Sequence, residues 1–486
     1  MPSSENWQFD NSYARLPERF YARVDPVPVQ QPELVVLNRD LARELGLTLD
    51  ACSEEALAEL FSGNRLPAGA EPIAQAYSGH QFGSFSRLGD GRAHLIGEHL
   101  TPAGHKVDIQ FKGSGRTPYG RRGDGRAALG PMLREYILGE AMHGLGIPTT
   151  RGLAVVTTGE PVYRETALPG AILTRVAASH LRFGTFENLL PDKDTDGLRQ
   201  LADYAIARHY PDLQGAENPY LEFLKMVMGS QIELVVQWLR VGFIHGVMNT
   251  DNLTISGETI DYGPCAFMDT YHPETVYSSI DHGGRYAYSN QPPIVQWNLA
   301  RFAEALLPLL HKDSDQAVEL ATAVIESFNE EYQQAWLAMM RSKLGLEDEH
   351  SGDEKLIDTL LVWMQDSEAD YTNTFRDLIA PEPPQGAPYR SNEFQDWWQR
   401  WRVRLEQDSN SLQSALETMS TVNPARIPRN HRVEAALSAA EDKLDFSVMQ
   451  ALLDALAEPY EELPKYSEFK KPPEPSERVL QTFCGT

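Results

Sequence analysis

The sequence predicts an α+β chain, with a strand-rich half followed by a helical half. Three observations carry that expectation. From Ala76 to Arg175 short apolar runs alternate with Gly-rich turns. Beyond about residue 190, apolar residues recur at helical spacing in one segment after another. Between these patterns, Gly242–Phe267 (GFIHGVMNTDNLTISGETIDYGPCAF) sets a His-Gly, an Asp-Asn and an Asp-Tyr-Gly at the ends of short apolar segments. At 486 residues the chain is long enough for a large core, or for two lobes with a cleft between them.

Composition narrows the function classes. Charged residues are 23% and hydrophobic residues 42%, as in a globular chain. The net charge of −26 disfavours a nucleic-acid backbone or an anionic membrane as partner. Any polyphosphate site must therefore concentrate its cations locally. No apolar run reaches transmembrane length, and MPSSENWQFDNSYARL lacks the apolar centre of a signal peptide. Three cysteines (Cys52, Cys265, Cys484) with no zinc-type spacing point to a reducing compartment. A cytoplasmic location is expected, and a monomer, since nothing in the sequence demands a dimer.

Residues 1 to about 30 read as a polar, Pro-punctuated strap. Glu33 to Leu45 has helical spacing, through Leu34, Leu37, Leu41 and Leu45, with Gly46 as its stop. Ser53 caps a second helix reaching Phe61. Strands follow a Gly/Pro-rich loop at 62–75. Gly-Asp-Gly-Arg occurs at 89–92 and again at 123–126, where glycine turns let backbone N–H groups approach phosphate oxygens and Arg adds charge. Between them Val107–Phe111 alternates as a half-buried strand and ends on Lys112. Ala128 to Leu145 is a strong helix, offering Glu135 and Glu140 as partners for Lys112; spacing does not choose between them. Gly152 to Arg175 reads as three strands (LAVVTTG, PVYRET, GAILTRV), giving an antiparallel sheet of five or six strands in all. Arg175 and Arg182 at its edge suit polyphosphate charge. Helices are expected at 194–210, 220–241, 298–310, 316–344, 352–380, 393–406, 429–439 and 444–457, before a Pro-rich tail.

The central stretch parallels the catalytic segment of a protein kinase, H-R-D-x-x-x-x-N followed by D-F-G. His245 stands at the His and Asn252 at the Asn. Asp261-Tyr262-Gly263 stands at D-F-G, after an expected hairpin of Leu253–Ile255 and Thr259–Ile260. The position of the kinase base is Val247, which accepts no proton. A carboxylate appears instead at Asp251, beside Asn252. The pattern reads as a nucleotide site with its base relocated. A strand Lys112 and a following helix fit the same plan, so a protein-kinase-like two-lobed fold is expected.

GHQFG (79–83), LGDGR (88–92), FKGSGRTPYGRRGDGRA (111–127), LREYILGEAMHGLGIPTTR (133–151), SHLRFGTFE (179–187), HGVMNTDN (245–252), DYGPCAFMD (261–269) and SIDHGGRY (279–286) run in one order. In this the sequence resembles the selenoprotein O family, called YdiU in bacteria. The resemblance implies a kinase-like fold that transfers AMP from ATP to protein Ser, Thr or Tyr hydroxyls and releases pyrophosphate, with ATP flipped relative to a kinase. It implies Asp251 as proton acceptor, and Asn252 and Asp261 as magnesium ligands. It implies Lys112 on phosphate, oriented by Glu135. It places Gly89, Gly91, Arg92, Asp124, Gly125, Arg175 and Arg182 at the nucleotide. Manganese or another nucleotide is compatible with the same residues. The division expected is a strap with helices (1–75), a nucleotide-binding lobe (76–185), a helical lobe (186–460) and a tail (461–486). A Cys265–Cys484 disulfide would pin that tail beside the site under oxidation. The rival readings are a kinase-like phosphotransferase and an inactive ATP-binding scaffold.

Overall fold

A computed structural model describes residues 5–483. Strands β1 (Tyr21–Arg23) and β2 (Glu33–Leu37) come first, then helices α1 (Arg39–Glu44) and α2 (Glu54–Phe61). Next are β3 (Ile73–Gln75), β4 (Ser78–Gln81), β5 (Ser84–Arg87), β6 (Ala93–Leu100), β7 (Lys106–Lys112) and β8 (Ala127–Ala128). Helix α3 (Leu129–Gly144) precedes the long strands β9 (Arg151–Tyr163) and β10 (Ala167–Ala177). Seven strands pair antiparallel in the order β1-β3-β6-β7-β10-β9-β2, with β8 pairing β10 off that path; β4 and β5 form a separate hairpin.

The pleat divides this sheet between two cores. Ala154, Val156 and Ile172 face Leu41, Leu57 and Phe61 of α1 and α2. Val155 and Leu173, on the opposite face, join Leu133, Ile137 and the large core shared with the helices beyond. Buried on both sides, β9 and β10 read as continuous apolar runs.

Helices dominate the rest: α4 (Phe183–Glu187), α5 (Thr195–His209) and α6 (Pro219–Val241). The short pair β11 (Phe243–Ile244) and β12 (Ala266–Phe267) brackets the segment that carries Asp251, Asn252 and Asp261. Then come α7 (Gln291–Leu310), α8 (Ser314–Lys343), α9 (Asp353–Asp366), α10 (Tyr371–Asp377), α11 (Asn392–Leu405), α12 (Leu412–Val422), α13 (Asn430–Lys443) and α14 (Ser447–Leu456). Gly242 ends α6 in the left-handed conformation (φ 74°), turning the chain directly into β11. Phe302 of α7, fully buried, sits against Phe183, Phe186 and Phe223 at centroid distances of 4.8, 5.1 and 5.7 Å. This aromatic cluster fixes α4, and with it Arg182, on the helical core.

The structure corrects several expectations. Glu33–Leu37 is a strand, because pairing with β9 (Leu34 opposite Val156) outweighs its helical spacing. The helix begins only at Arg39, capped by the Asn38 side chain on Leu41 N. The three strands expected between 152 and 175 are two, since Gly159–Pro161 continues β9 instead of turning. Leu253–Ile260 is not a self-paired hairpin: Thr254 bridges Arg182 and Thr259 bridges Thr149. The 352–380 helix is two, α9 and α10, and α12 was not foreseen.

Glu258, in the same turn, accepts from Ala178 N and the Ser256 hydroxyl. Burial pushes its carboxyl up to about 7. Its folded pKa thus exceeds its unfolded one, so the fold favours the protonated form, and stability is lost as pH rises from about 4.5 to about 7. Glu258→Gln should remove that component: wild type should lose stability relative to the variant across this window, read by urea unfolding at each pH. Separately, Phe302→Ala should lower the unfolding free energy by about 3–5 kcal/mol in the same assay.

Candidate active site

Every residue expected at the nucleotide lines one cavity of about 440 Å³ between the sheet edge and the catalytic segment. Seven cationic side chains and five carboxylates line it, a local positive excess in a chain of net charge −26.

Lys112 ends β7, and its Nζ donates to Glu135 Oε2 of α3 at 2.6 Å and to Asp261 Oδ1 at 2.9 Å. Arg175 of β10 contacts Glu135 Oε1 and Asp261 Oδ1, each at 2.7 Å. Arg182 donates to Asp261 Oδ2 (2.8 Å) and to the Asp251 carbonyl (2.7 Å). Burial alone would raise the Asp261 carboxyl. Arg175, Lys112 and Arg182 reverse this and hold it well below the usual carboxylate range. Asp261 sits at φ 63°, a left-handed conformation tolerated by Asp and fixed here by three cations. Glu140, the alternative partner of Lys112, instead pairs with Arg151 at 2.7 Å, so the structure chooses Glu135.

The Gly89–Arg92 turn is braced from below. Asp90, buried, accepts from Gln75 N and Gln110 Nε2, both at 3.2 Å. Gly89 lies at φ 126°, where a Cβ would overlap the Tyr119 ring. Gly91 and Arg92 line the cavity beside it. In the second turn Gly125 has φ 74° and Asp124 is tied to Arg164 at 2.9 Å, which lowers the Asp124 carboxyl.

Asp251 is 7% exposed, and its Oδ1 has no hydrogen-bond partner. Burial pushes its carboxyl up to about 6, while Arg182 pulls the other way. A desolvated, underused carboxylate of this kind is suited to accept a proton. The β4–β5 hairpin closes over it. His80 N bonds the Thr250 hydroxyl (2.8 Å), Phe82 N bonds Asn249 Oδ1 (3.0 Å), and a Cβ on Gly79 would overlap the Asp251 carboxylate. Thr250 donates in turn to Glu187 (2.7 Å), whose carboxyl burial raises to about 7.

Asn252 donates its amide N–H to Val247 O (2.8 Å), which leaves Oδ1 for a ligand. With Asp261 it supplies one amide oxygen and one carboxylate to the cavity. That set is too small for an all-protein cage, and among the described residues no group of three or more His, Cys, Asp or Glu could hold a metal ion. It does fit magnesium carried in on a nucleotide, which takes one or two protein oxygens and completes its shell with phosphate and water.

Sequence reasoning missed Asp90, Tyr77, Gly79, Asn249 and Arg164. Tyr77 lies under the Arg182 guanidinium at 4.6 Å. Gly79 and Asp90 stood inside the GHQFG and LGDGR segments, but only the fold shows what they touch. Cys484 lies outside the described residues. Thr482 places the end of the described chain at the site's edge, its N–H donating to Tyr277 O and its hydroxyl to Pro264 O.

The sequence model of the family described as protein adenylyltransferase SelO matches residues 4–457. The chain belongs to the SelO family. It is 64% identical over 493 residues to the protein nucleotidyltransferase YdiU of Nitrosococcus oceani, covering 100% of both chains. The proteins of the same name from Geobacillus kaustophilus (59% over 480 residues, 99% of each chain) and Syntrophotalea carbinolica (56% over 480 residues, 99% of this chain and 98% of the relative) are similar throughout. No helix among the described residues is long and apolar enough to cross a membrane.

Gly79→Ala should lower turnover at least about ten-fold, because one methyl displaces the Asp251 carboxylate. Binding of a fluorescent ATP analogue should change less than about two- to three-fold, since Gly79 does not line the 440 Å³ cavity. Equal losses of binding and turnover would place Gly79 elsewhere in the mechanism.

Proposed function

We propose that this chain is a protein adenylyltransferase that moves AMP from ATP to Ser, Thr or Tyr hydroxyls. Membership of the SelO family supports the reaction class. The observation that carries the mechanism is the joining of Lys112, Arg175, Arg182 and Asp261 into one buried cluster beside an unsatisfied Asp251.

In this reading Lys112, Arg175 and Arg182 neutralise the triphosphate, and Glu135 keeps Lys112 extended. The Gly89–Arg92 turn, Asp124 and Gly125 shape the rest of the nucleotide's bed. Asn252 and Asp261 would hold magnesium, or manganese, which supplies charge neutralisation to the phosphates when bound. Asp251 takes the proton of the acceptor hydroxyl as its oxygen attacks the α-phosphorus in line. The bond from α-phosphorus to the bridging oxygen breaks, and pyrophosphate carries away that electron pair. Little covalent work falls to the protein, so positioning and charge neutralisation dominate. Val247 occupies the place of a kinase base, which disfavours γ-phosphoryl transfer.

The same reading divides the chain as a kinase-like enzyme. Residues 76–185 form the nucleotide-binding lobe, 186–460 the helical lobe, 1–75 the strap and helices against them, and 461–486 the tail. The Lys112–Glu135 pair between strand and helix supports it. A monomer acting in the cytoplasm on protein acceptors completes the proposal.

The test uses ATP labelled at the α or γ phosphate, magnesium and a general acceptor protein. Label should arrive from the α position only, with an added AMP mass that Asp261→Ala abolishes. Label from γ only makes this a phosphotransferase; ATP binding with no transfer makes it a scaffold. The ion-free protein's raised Asp251 carboxyl adds a pH expectation. A base must be ionised, so kcat/KM, which reports the free protein, should rise with pH through about 6 and then level. Asp251→Asn should cut kcat by about 10²–10⁴-fold and remove that limb.

A further inference from the structure

A second cavity, of about 280 Å³, shares no lining residue with the nucleotide cavity and takes no part in the chemistry above. Four tyrosines (Tyr271, Tyr288, Tyr332, Tyr371) and Trp336 line it. Tyr271 stacks on Tyr371 at 5.7 Å and meets Tyr288 edge-on at 6.1 Å. The Tyr288 and Tyr371 hydroxyls both donate to Leu239 O at 2.8 Å, in the last turn of α6, the electronegative end of that helix. Glu354 and Asp358, exposed and one turn apart on α9, complete the polar lining. Neither forms an ion pair among the described residues, and Glu354 accepts only from Gln333 Nε2 at 3.2 Å. No Lys, Arg or His lines the cavity.

Ring faces and two carboxylates attract a cation, and nothing in the lining supplies one. The same aromatic cluster already packs around one lysine amine, which burial and the Arg240 charge hold well below the usual lysine range. Lys343 Nζ lies 5.1 Å from the Tyr371 centroid and 4.0 Å from that of Phe375, donating to Arg240 O at 2.7 Å. The volume lies near the lower end of small-molecule pockets, which suits a slender aliphatic amine better than a nucleotide. We propose that this cavity binds an aliphatic ammonium ligand of the polyamine class. Its methylenes lie among the tyrosine and tryptophan rings, and its charged ends meet Glu354 and Asp358. Burial and the charge of Asp358 both push the Tyr271 hydroxyl up, to about 12, so it stays a neutral donor beside that carboxylate.

Isothermal titration of the full-length chain with spermidine tests this. A chain so acidic attracts any polyamine loosely, so the controls matter. The wild type should show saturable binding at one site with a submillimolar Kd. Glu354→Gln combined with Asp358→Asn, and separately Trp336→Ala, should each weaken it by about ten-fold or more. Glu319→Gln combined with Glu326→Gln, which removes two exposed charges from α8 outside the cavity, should leave it unchanged. Unchanged adenylyl transfer and an unchanged unfolding midpoint verify that each variant is folded. Equal weakening in the α8 control, wild-type affinity in Trp336→Ala, or no saturable binding would each overturn the proposal.

Discussion

The site depends on one carboxylate held among three cations. Lys112, Arg175 and Arg182 come from β7, β10 and the lead into α4, and each is nearly buried. Buried cations without partners are costly, and Asp261 with Glu135 supplies the compensation. Asp261 in turn accepts a left-handed backbone to reach them. Sheet, helix α3 and catalytic segment are thus joined by charge at the point where the phosphates are proposed to bind. A triphosphate brings more negative charge than Asp261 does. In the proposed reaction its arrival would release that carboxylate for magnesium.

Asp251 obeys the opposite logic. It is buried with an unsatisfied oxygen and is bounded by Gly79, which has no side chain to give way. Arg182 bonds its carbonyl, not its carboxylate. Burial without neutralisation raises its pKa, whereas burial with three cations lowers that of Asp261. Two aspartates ten residues apart are thus held in opposite states, one more readily protonated and the other kept charged.

Much of this was legible in the residues. Lys112 after an alternating strand, the helix carrying Glu135, and the paired Gly-Asp-Gly-Arg turns all occupy the expected cavity. Spacing alone left Glu135 and Glu140 open and the resemblance named Glu135; the fold supplies the reason, because both stand on α3 and Arg151, arriving from β9, claims Glu140. Glu33–Leu37 misled because a leucine spacing of three fits a helix, while the ladder that makes it a strand comes from residues more than a hundred positions away. The arms of the 253–260 turn pair with Arg182 and Thr149, which no local pattern announces. Gly79 and Asp90 act through contacts that exist only after the hairpin and sheet have closed.

Which phosphorus stands beside Asp251 decides between adenylyl and phosphoryl transfer. A crystal structure with magnesium and a non-hydrolysable ATP analogue measures it directly. The prediction is an α-phosphorus next to the Asp251 carboxylate, with Asp261 turned from Lys112 and Arg175 toward the metal. A γ-phosphorus in that place, with Asp261 still held by its three cations, would contradict it.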